Sequence, residues 1–236
     1  MTVPARPPPH FPPRRGSGLF ASFGHAWAGL IHTVVHQRNM RVHLTSAMLV
    51  GLVGSGIALG LAEKVTLIFC VLLIFFAEIL NSALEHLVDL AVQQFDEKAR
   101  LTKDAAAAGV LVLALGTVVI FAAILVHNWE TVRTSTDAII RQVAFGIPLT
   151  ACVLVLVLPQ RRPLWVDLLA FLGGGVLLGI LATRSASMVF SAMTAGLLFV
   201  AGSAAYTRRR EARSTGQPPG DSPISGHKKT TPANMT

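Results

Sequence analysis

The composition of this 236-residue chain excludes an ordinary soluble domain. Hydrophobic residues make up 52% of the chain and charged residues only 14%, whereas soluble domains carry roughly 25% charged residues. The formal net charge of +8 does not indicate nucleic-acid binding, because the Lys and Arg residues cluster between apolar segments, as the positive-inside rule describes for membrane proteins. We therefore expect an integral membrane protein with no nucleic-acid partner.

The N-terminal region divides into a polar tail and an amphipathic segment. Residues 1–18 are rich in Pro and Arg and lack the apolar core of a secretory signal, so we expect a disordered tail in the cytoplasm. From Leu19 to His36, apolar side chains recur every three or four residues, which predicts a helix lying in the membrane interface. Its histidines, His25, His32 and His36, have no acidic residue nearby, and we interpret them as interfacial packing rather than as a metal site.

Six later segments are long and apolar enough to cross a bilayer, which takes about 20 residues. With a cytoplasmic N-terminus, six crossings return the C-terminus to the cytoplasm and place most of the Lys and Arg residues there. The sequence thus predicts an all-α membrane protein, with an interfacial helix followed by six spans. The spans are Val42 to Leu61, Val65 to about Leu87, Ala105 to Val126, Ile139 to Leu158, Leu164 to Ala182 and Ser187 to Tyr206.

The second predicted span carries the main chemical pattern of the chain. The pattern begins at Glu78. Asn81 or Ser82 follows after three or four residues, Glu85 after seven and Asp89 after eleven, so these side chains share one helix face. Carboxylates near hydrocarbon are costly and indicate a functional site. Their hard oxygen atoms suit Mg²⁺, with substrate phosphates completing the coordination. For Asp89 alone, a solvated helix face remains the alternative interpretation.

The loop after this helix adds a cation and an acid. Lys103 and Asp104 lie at the cytoplasmic start of the third predicted span. A Lys can neutralise phosphate charge, and the N-terminus of a helix favours anions. The pattern therefore predicts that a nucleotide phosphate binds near this loop.

Four motifs in order resemble the prokaryotic diacylglycerol kinase family, which includes undecaprenol kinases. The first two are SFGHAWAGL (Ser22 to Leu30) and RNMRVH (Arg38 to His43). The others are AEILNSALEHLVD (Ala77 to Asp89) and KDAAAAGVLV (Lys103 to Val112). The resemblance covers about residues 19–127. It implies a three-span subunit of a homotrimer in the bacterial inner membrane, which uses MgATP to phosphorylate a lipid hydroxyl.

The resemblance also implies roles for individual residues. Glu78 would be the general base and Glu85 a metal ligand. The nucleotide site would be formed by Asn81, Asp89, Lys103 and Asp104. The family usually has a Glu as the second metal ligand where this chain has Gln37, which offers a neutral oxygen only. We therefore expect weakened or altered use of the metal.

Residues 128–210 match no motif and are predicted to form an accessory three-helix region, with a disordered basic tail over residues 211–236. Within this region, Gly173 to Gly175 and the Gly175/Gly179 pair predict close helix packing. The favoured function is a lipid kinase, with diacylglycerol and undecaprenol both open as substrates. The alternatives are an inactive scaffold, which Gln37 favours, and an ion-coupled transporter.

Overall fold

The structure is a computed structural model that describes residues 18–160 and 162–215. Within these residues the chain is helical and contains no strand. The helices are α1 (Leu19–His36), α2 (Arg38–Ser55), α3 (Leu61–Ala91), α4 (Glu97–His127), α5 (Trp129–Thr134), α6 (Thr136–Val157), α7 (Leu164–Thr183) and α8 (Met188–Thr215). This architecture confirms the predicted all-α fold. Residues 1–17 and 216–236, which make up most of the two predicted tails (residues 1–18 and 211–236), lie outside the described residues.

Five helices are long and apolar enough to cross a membrane: α3, α4, α6, α7 and α8. They correspond to the second through sixth predicted spans. The first predicted span, Val42 to Leu61, differs from the structure, because α2 begins four residues earlier and ends at Ser55. Polar residues occupy its first turns, and a turn rich in Gly, residues 56–60, interrupts the apolar segment. As a result, α2 is not among the five helices.

Helix α3 extends beyond the length that a bilayer requires. Its 31 residues correspond to about 46 Å at 1.5 Å per residue, compared with a hydrocarbon core of about 30 Å. The helix is therefore longer than the hydrocarbon core, and part of it extends past the membrane. The polar residues of the second half of α3 therefore lie near one membrane surface.

The helices after residue 128 pack onto the N-terminal region. Helix α2 lies against α3, α6 and α8, and α1 lies against α8. Close approach depends on glycine at two points of α2: a Cβ on Gly51 would lie 2.8 Å from the Thr194 hydroxyl, and one on Gly54 would lie 2.7 Å from the Phe190 ring. The two parts of the chain thus share one apolar core.

Two sequence expectations about the C-terminal region need revision. Gly174 contacts α8, where a Cβ would lie 3.1 Å from Leu198, but Gly173, Gly175 and Gly179 have no atoms within 4 Å of an added Cβ. The Gly175/Gly179 face therefore does not mediate packing within the described chain. In addition, α8 continues to Thr215, so the first five residues of the predicted tail 211–236 are helical.

Helix α4 is the most exposed long helix. It packs mainly against α3, and Val110 is its only buried residue. Its first turn is capped by Asp96, whose side chain accepts hydrogen bonds from the backbone N–H groups of Lys98 at 2.7 Å and Ala99 at 3.1 Å. Such a cap fixes where α4 begins. The cap thereby positions Lys103 in the second turn of the helix.

Candidate active site

The polar residues of α3 form a continuous stripe, as their spacing predicts. Glu78, Asn81 and Ser82 are buried, at 1%, 4% and 3% exposure. Glu85 is half-buried and Asp89 is exposed. The Asn81 amide donates to Oε1 of Glu85 at 3.1 Å. The stripe therefore runs from the protein interior towards the aqueous end of α3.

Gln37 meets this stripe from the junction of α1 and α2. It is the single residue between the two helices and has an extended backbone, with φ −93° and ψ 121°. Its side-chain Nε2 donates to the hydroxyl of Ser82 at 3.2 Å and to Oε2 of Glu85 at 3.3 Å. The structure thus brings together the two side chains that the family resemblance implies as metal ligands.

These contacts explain how glutamine is tolerated at position 37. A glutamine amide can donate a hydrogen bond to the Glu85 carboxylate, whereas a second carboxylate would repel it unless a cation lay between them. Gln37 therefore makes a direct hydrogen bond to Glu85 where a second carboxylate would need a cation between the two. The same amide also has a carbonyl oxygen, which is a hard but neutral ligand.

Glu78 is the most deeply buried polar residue of the stripe. Neither of its carboxylate oxygens has a hydrogen-bond partner among the described residues, and neither does Oδ1 of Asn81. Buried polar atoms of this kind are rare in folded proteins and often mark places where a ligand, water or proton binds. Three unpartnered oxygens on adjacent turns therefore leave room for a ligand, water or proton to bind inside the protein.

The aqueous end of the stripe contacts the start of α4. The Lys103 ammonium forms an ion pair with the Asp89 carboxylate. Asp104, the next residue, pairs instead with Arg100 at 2.6 Å along α4. The structure thus joins Lys103 to the α3 stripe, while the Asp104 carboxylate is held on the exposed side of α4.

A cluster of histidines lies beside the stripe. The rings of His32 and His36 are 4.3 Å apart, and the rings of His32 and His86 are 5.8 Å apart. Burial, followed by the nearby His36 and His86, lowers the pKa of His32, while Glu211 acts in the opposite direction. Glu211 of α8 also lies 3.4 Å from Nε2 of His36. The far end of α8 therefore contacts the residue that precedes Gln37.

Sequence reasoning assigned no role to three participants in this region: His86, Arg100 and Glu211. The ion pairs of Arg100 could have been predicted from the sequence, because Arg100 lies three residues after Glu97 and four before Asp104 on one helix face. His86 and Glu211 gave no such signal, since their partners belong to α1 and are distant in sequence. Their contacts depend on how the helices pack.

Glu85 offers a metal ion one carboxylate, and Gln37 presents its amide Nε2 to that carboxylate, so the Gln37 carbonyl oxygen would face a metal only after the amide turned over. Among residues 18–160 and 162–215, no three His, Cys, Asp or Glu side chains come together as a possible metal site. Mg²⁺ commonly takes only one or two carboxylates from the protein and completes its coordination with substrate phosphates and water. One carboxylate and one amide oxygen fit this kind of incomplete protein site.

Comparison with known proteins assigns the N-terminal half to a family. The family model of the prokaryotic diacylglycerol kinases matches residues 24–125. A diacylglycerol kinase from Synechocystis is 35% identical over 127 residues, which cover 51% of this chain and 73% of that protein. The chain belongs to the prokaryotic diacylglycerol kinase family. This membership makes it a lipid kinase.

Two further relatives show how the similarity is distributed. The undecaprenol kinase of Bacillus subtilis is 35% identical over 97 residues, covering 41% of this chain and 79% of that protein. The diacylglycerol kinase of Escherichia coli K12 is 28% identical over 101 residues, which cover 43% of this chain and 83% of that protein. No solved structure matches the chain significantly. The family match ends at residue 125, so it does not include α5 to α8.

Proposed function

We propose that the chain transfers the γ-phosphate of MgATP to the hydroxyl of a membrane lipid, with diacylglycerol and undecaprenol as candidate substrates. The observation that carries this proposal is the burial of Glu78, with both carboxylate oxygens unpartnered, on the same stripe as Asn81 and Glu85. A carboxylate that no protein donor occupies is free to accept a proton from a substrate hydroxyl. Glu78 is therefore the general base in this proposal.

The depth of Glu78 fits a lipid acceptor. A lipid hydroxyl is tethered to apolar chains and approaches from the membrane, whereas a nucleotide approaches from water. Glu78 is buried, whereas Asp89 lies about three turns further along α3 at 3.6 residues per turn, at the exposed end of the stripe, where Lys103 of α4 pairs with it. The two substrates would therefore meet between these residues, close to Asn81 and Glu85.

Mg²⁺ would be held by Glu85 and by the Gln37 carbonyl oxygen, and when bound it supplies charge neutralisation for the transferred phosphate. Lys103, which the ion pair with Asp89 keeps beside the stripe, would neutralise further phosphate charge. Asn81 orients Glu85 through its hydrogen bond of 3.1 Å. Asp89 and Asp104 would complete the nucleotide site at the aqueous edge.

We further propose that the chain assembles as a homotrimer, as the family resemblance implies. The exposed surface of α4 supports this proposal, because apolar side chains such as Leu111, Leu115 and Val118 are 58–65% exposed and would pack against neighbouring subunits. Native mass spectrometry from detergent should give about three times the chain mass of 25.1 kDa. A monomeric mass under conditions that preserve kinase activity would contradict the assembly.

The kinase proposal is tested by supplying ATP and Mg²⁺ with diacylglycerol or undecaprenol in separate reactions of the purified protein. The Glu78→Gln variant should lose at least about 100-fold in rate, which is the usual contribution of a general base. Glu63→Gln, on the same helix but at its opposite end, is the matched control and should keep wild-type activity. If folded wild-type protein phosphorylates neither lipid, the inactive scaffold becomes the better description.

A further inference from the structure

A basic cavity lies where α6 ends, α7 begins and α8 ends. Its volume is about 450 Å³. Four arginines and one aspartate line it, so positive charge predominates. The charged lining residues are Arg162, Asp167, Arg208, Arg209 and Arg213.

Arg208 is the buried cation of this cavity, with only 7% of its surface exposed. It donates hydrogen bonds to the backbone carbonyls of Leu156 at 3.1 Å and Val157 at 3.2 Å, at the end of α6. Within the part of the chain that the structure describes, no carboxylate forms a direct ion pair with it. The negative end of the α6 dipole and the nearby Asp167 carboxylate, which is itself paired with Arg209, offset part of its charge, but a buried cation without a directly paired counter-ion remains costly. An anion in the cavity would offset the rest.

An apolar crevice of about 480 Å³ adjoins the basic cavity. The two share Asp167 and Arg209, which form an ion pair at 2.5 Å. Beyond this pair the crevice is mostly apolar and runs between α7 and α8, past Phe171 and Phe199 to Trp27 of α1. A polar compartment and an apolar compartment with a common wall fit an amphiphilic ligand.

The cavity also lies at the same end of the bundle as the aqueous part of the α3 stripe. Glu211 of α8, three residues after Arg208, contacts His36, and His36 precedes Gln37. Head groups bound at the cavity would therefore lie at the membrane surface on which the lipid kinase site opens.

We propose that the C-terminal helices bind a lipid whose head group is a phosphate monoester, with the phosphate among the arginines and one hydrocarbon chain in the crevice. A phosphate monoester carries about −1.5 to −2 charge at pH 7, which matches an excess of three positive charges better than a singly charged head group does. Guanidinium groups bind phosphate through paired hydrogen bonds. Lipids of this class are the products of the proposed kinase reaction, and this link rests on that function, although binding itself does not require catalysis.

The test uses quenching of Trp27 fluorescence by brominated lipid chains. Trp129 and Trp165 are replaced by Phe, and the full-length protein is reconstituted in vesicles of phosphatidylcholine. Increasing fractions of brominated phosphatidic acid are then added. We expect half-maximal quenching at a mole fraction about tenfold lower than for brominated phosphatidylcholine or phosphatidylglycerol, as charge-assisted hydrogen bonds imply. Equal quenching by phosphatidic acid and phosphatidylglycerol would overturn the monoester assignment.

Variants separate the head-group contacts from the chain contacts. Arg208→Gln should abolish the preference for phosphatidic acid, and Arg213→Gln, at an exposed position, should reduce it. Arg133→Gln, on α5 outside the cavity, is the matched control and should leave it unchanged. Ser203→Phe should block the crevice and weaken quenching. Unchanged selectivity in Arg213→Gln, or displacement of the lipid by millimolar inorganic phosphate, would refute the proposal, and neither result depends on kinase activity.

Discussion

Replacing Gln37 by Glu should make the stability of the protein depend on Mg²⁺. In the wild type, the Gln37 amide donates to Glu85 across 3.3 Å. Two carboxylates at that distance would repel each other by about 5 kcal/mol at an effective dielectric constant of 20, and by about 3 kcal/mol if they moved apart to about 5 Å. The repulsion cannot cost more than protonating one of the two carboxylates, which removes it and takes about 3.7 kcal/mol at pH 7 for a free Glu side chain. We therefore expect a loss of about 3 kcal/mol without metal.

Thermal unfolding of the purified protein in detergent measures this effect. A loss of about 3 kcal/mol corresponds to a fall of roughly 6–12 °C in melting temperature for a chain of this size. In EDTA the Gln37→Glu variant should melt that much lower than the wild type, and Mg²⁺ should restore it. The phosphorylation rate of the variant should also saturate at a lower Mg²⁺ concentration. Gln37→Met, which removes the hydrogen bonds without adding charge, should show no restoration.

The reasoning would be refuted if the melting temperature and activity of the Gln37→Glu variant responded to Mg²⁺ as those of the wild type do. In that case Gln37 and Glu85 would not share a metal ion, and their hydrogen bond would only orient the junction of α1 and α2. The Gln37→Met control distinguishes this result from a general loss of stability. It should be destabilised equally in EDTA and in Mg²⁺.

Three further predictions follow from other parts of the molecule. Lys103→Met should raise the KM for ATP about tenfold in steady-state kinetics, because one phosphate contact is lost, whereas Lys98→Met on the exposed first turn of α4 should not. Gly54→Ala should cost about 1–3 kcal/mol in unfolding experiments, because its Cβ would lie 2.7 Å from a buried ring of α8, whereas Gly116→Ala, with open space around it, should cost nothing. Because the pKa of His32 is lowered below 6.5 in the folded protein, the unfolded chain binds more protons, so stability should fall as the pH drops through 6.5. The His32→Gln variant should lose part of that pH dependence. The prediction would be contradicted if the melting temperatures of the variant and the wild type depended on pH identically.

The C-terminal helices change how the kinase half is understood. Helices α6 and α8 cover α2, and α8 reaches the junction of α1 and α2 through Glu211. Substitutions in α8 are therefore able to influence the position of Gln37 without contacting either substrate. The family model, which matches residues 24–125, gives no information about this coupling.

The sequence by itself determined the membrane class, the helical architecture and the stripe of Glu78, Asn81, Glu85 and Asp89. These features are local: about 20 apolar residues predict a span, and a spacing of three or four residues places side chains on one helix face. The same logic identified the family through motifs that are short and continuous. It failed for the first span, where a turn rich in Gly ends α2 at Ser55.

Only the tertiary structure decided which helix faces meet. Gln37 and Glu85 are 48 residues apart, and Asp89 and Lys103 are 14 apart, yet both pairs are in contact. Gly174 packs, while Gly175 and Gly179 do not. The physical reason is that membrane helices are apolar on nearly every side, so composition does not distinguish a face that contacts protein from one that contacts lipid. Shape complementarity and a few interhelical hydrogen bonds make that choice.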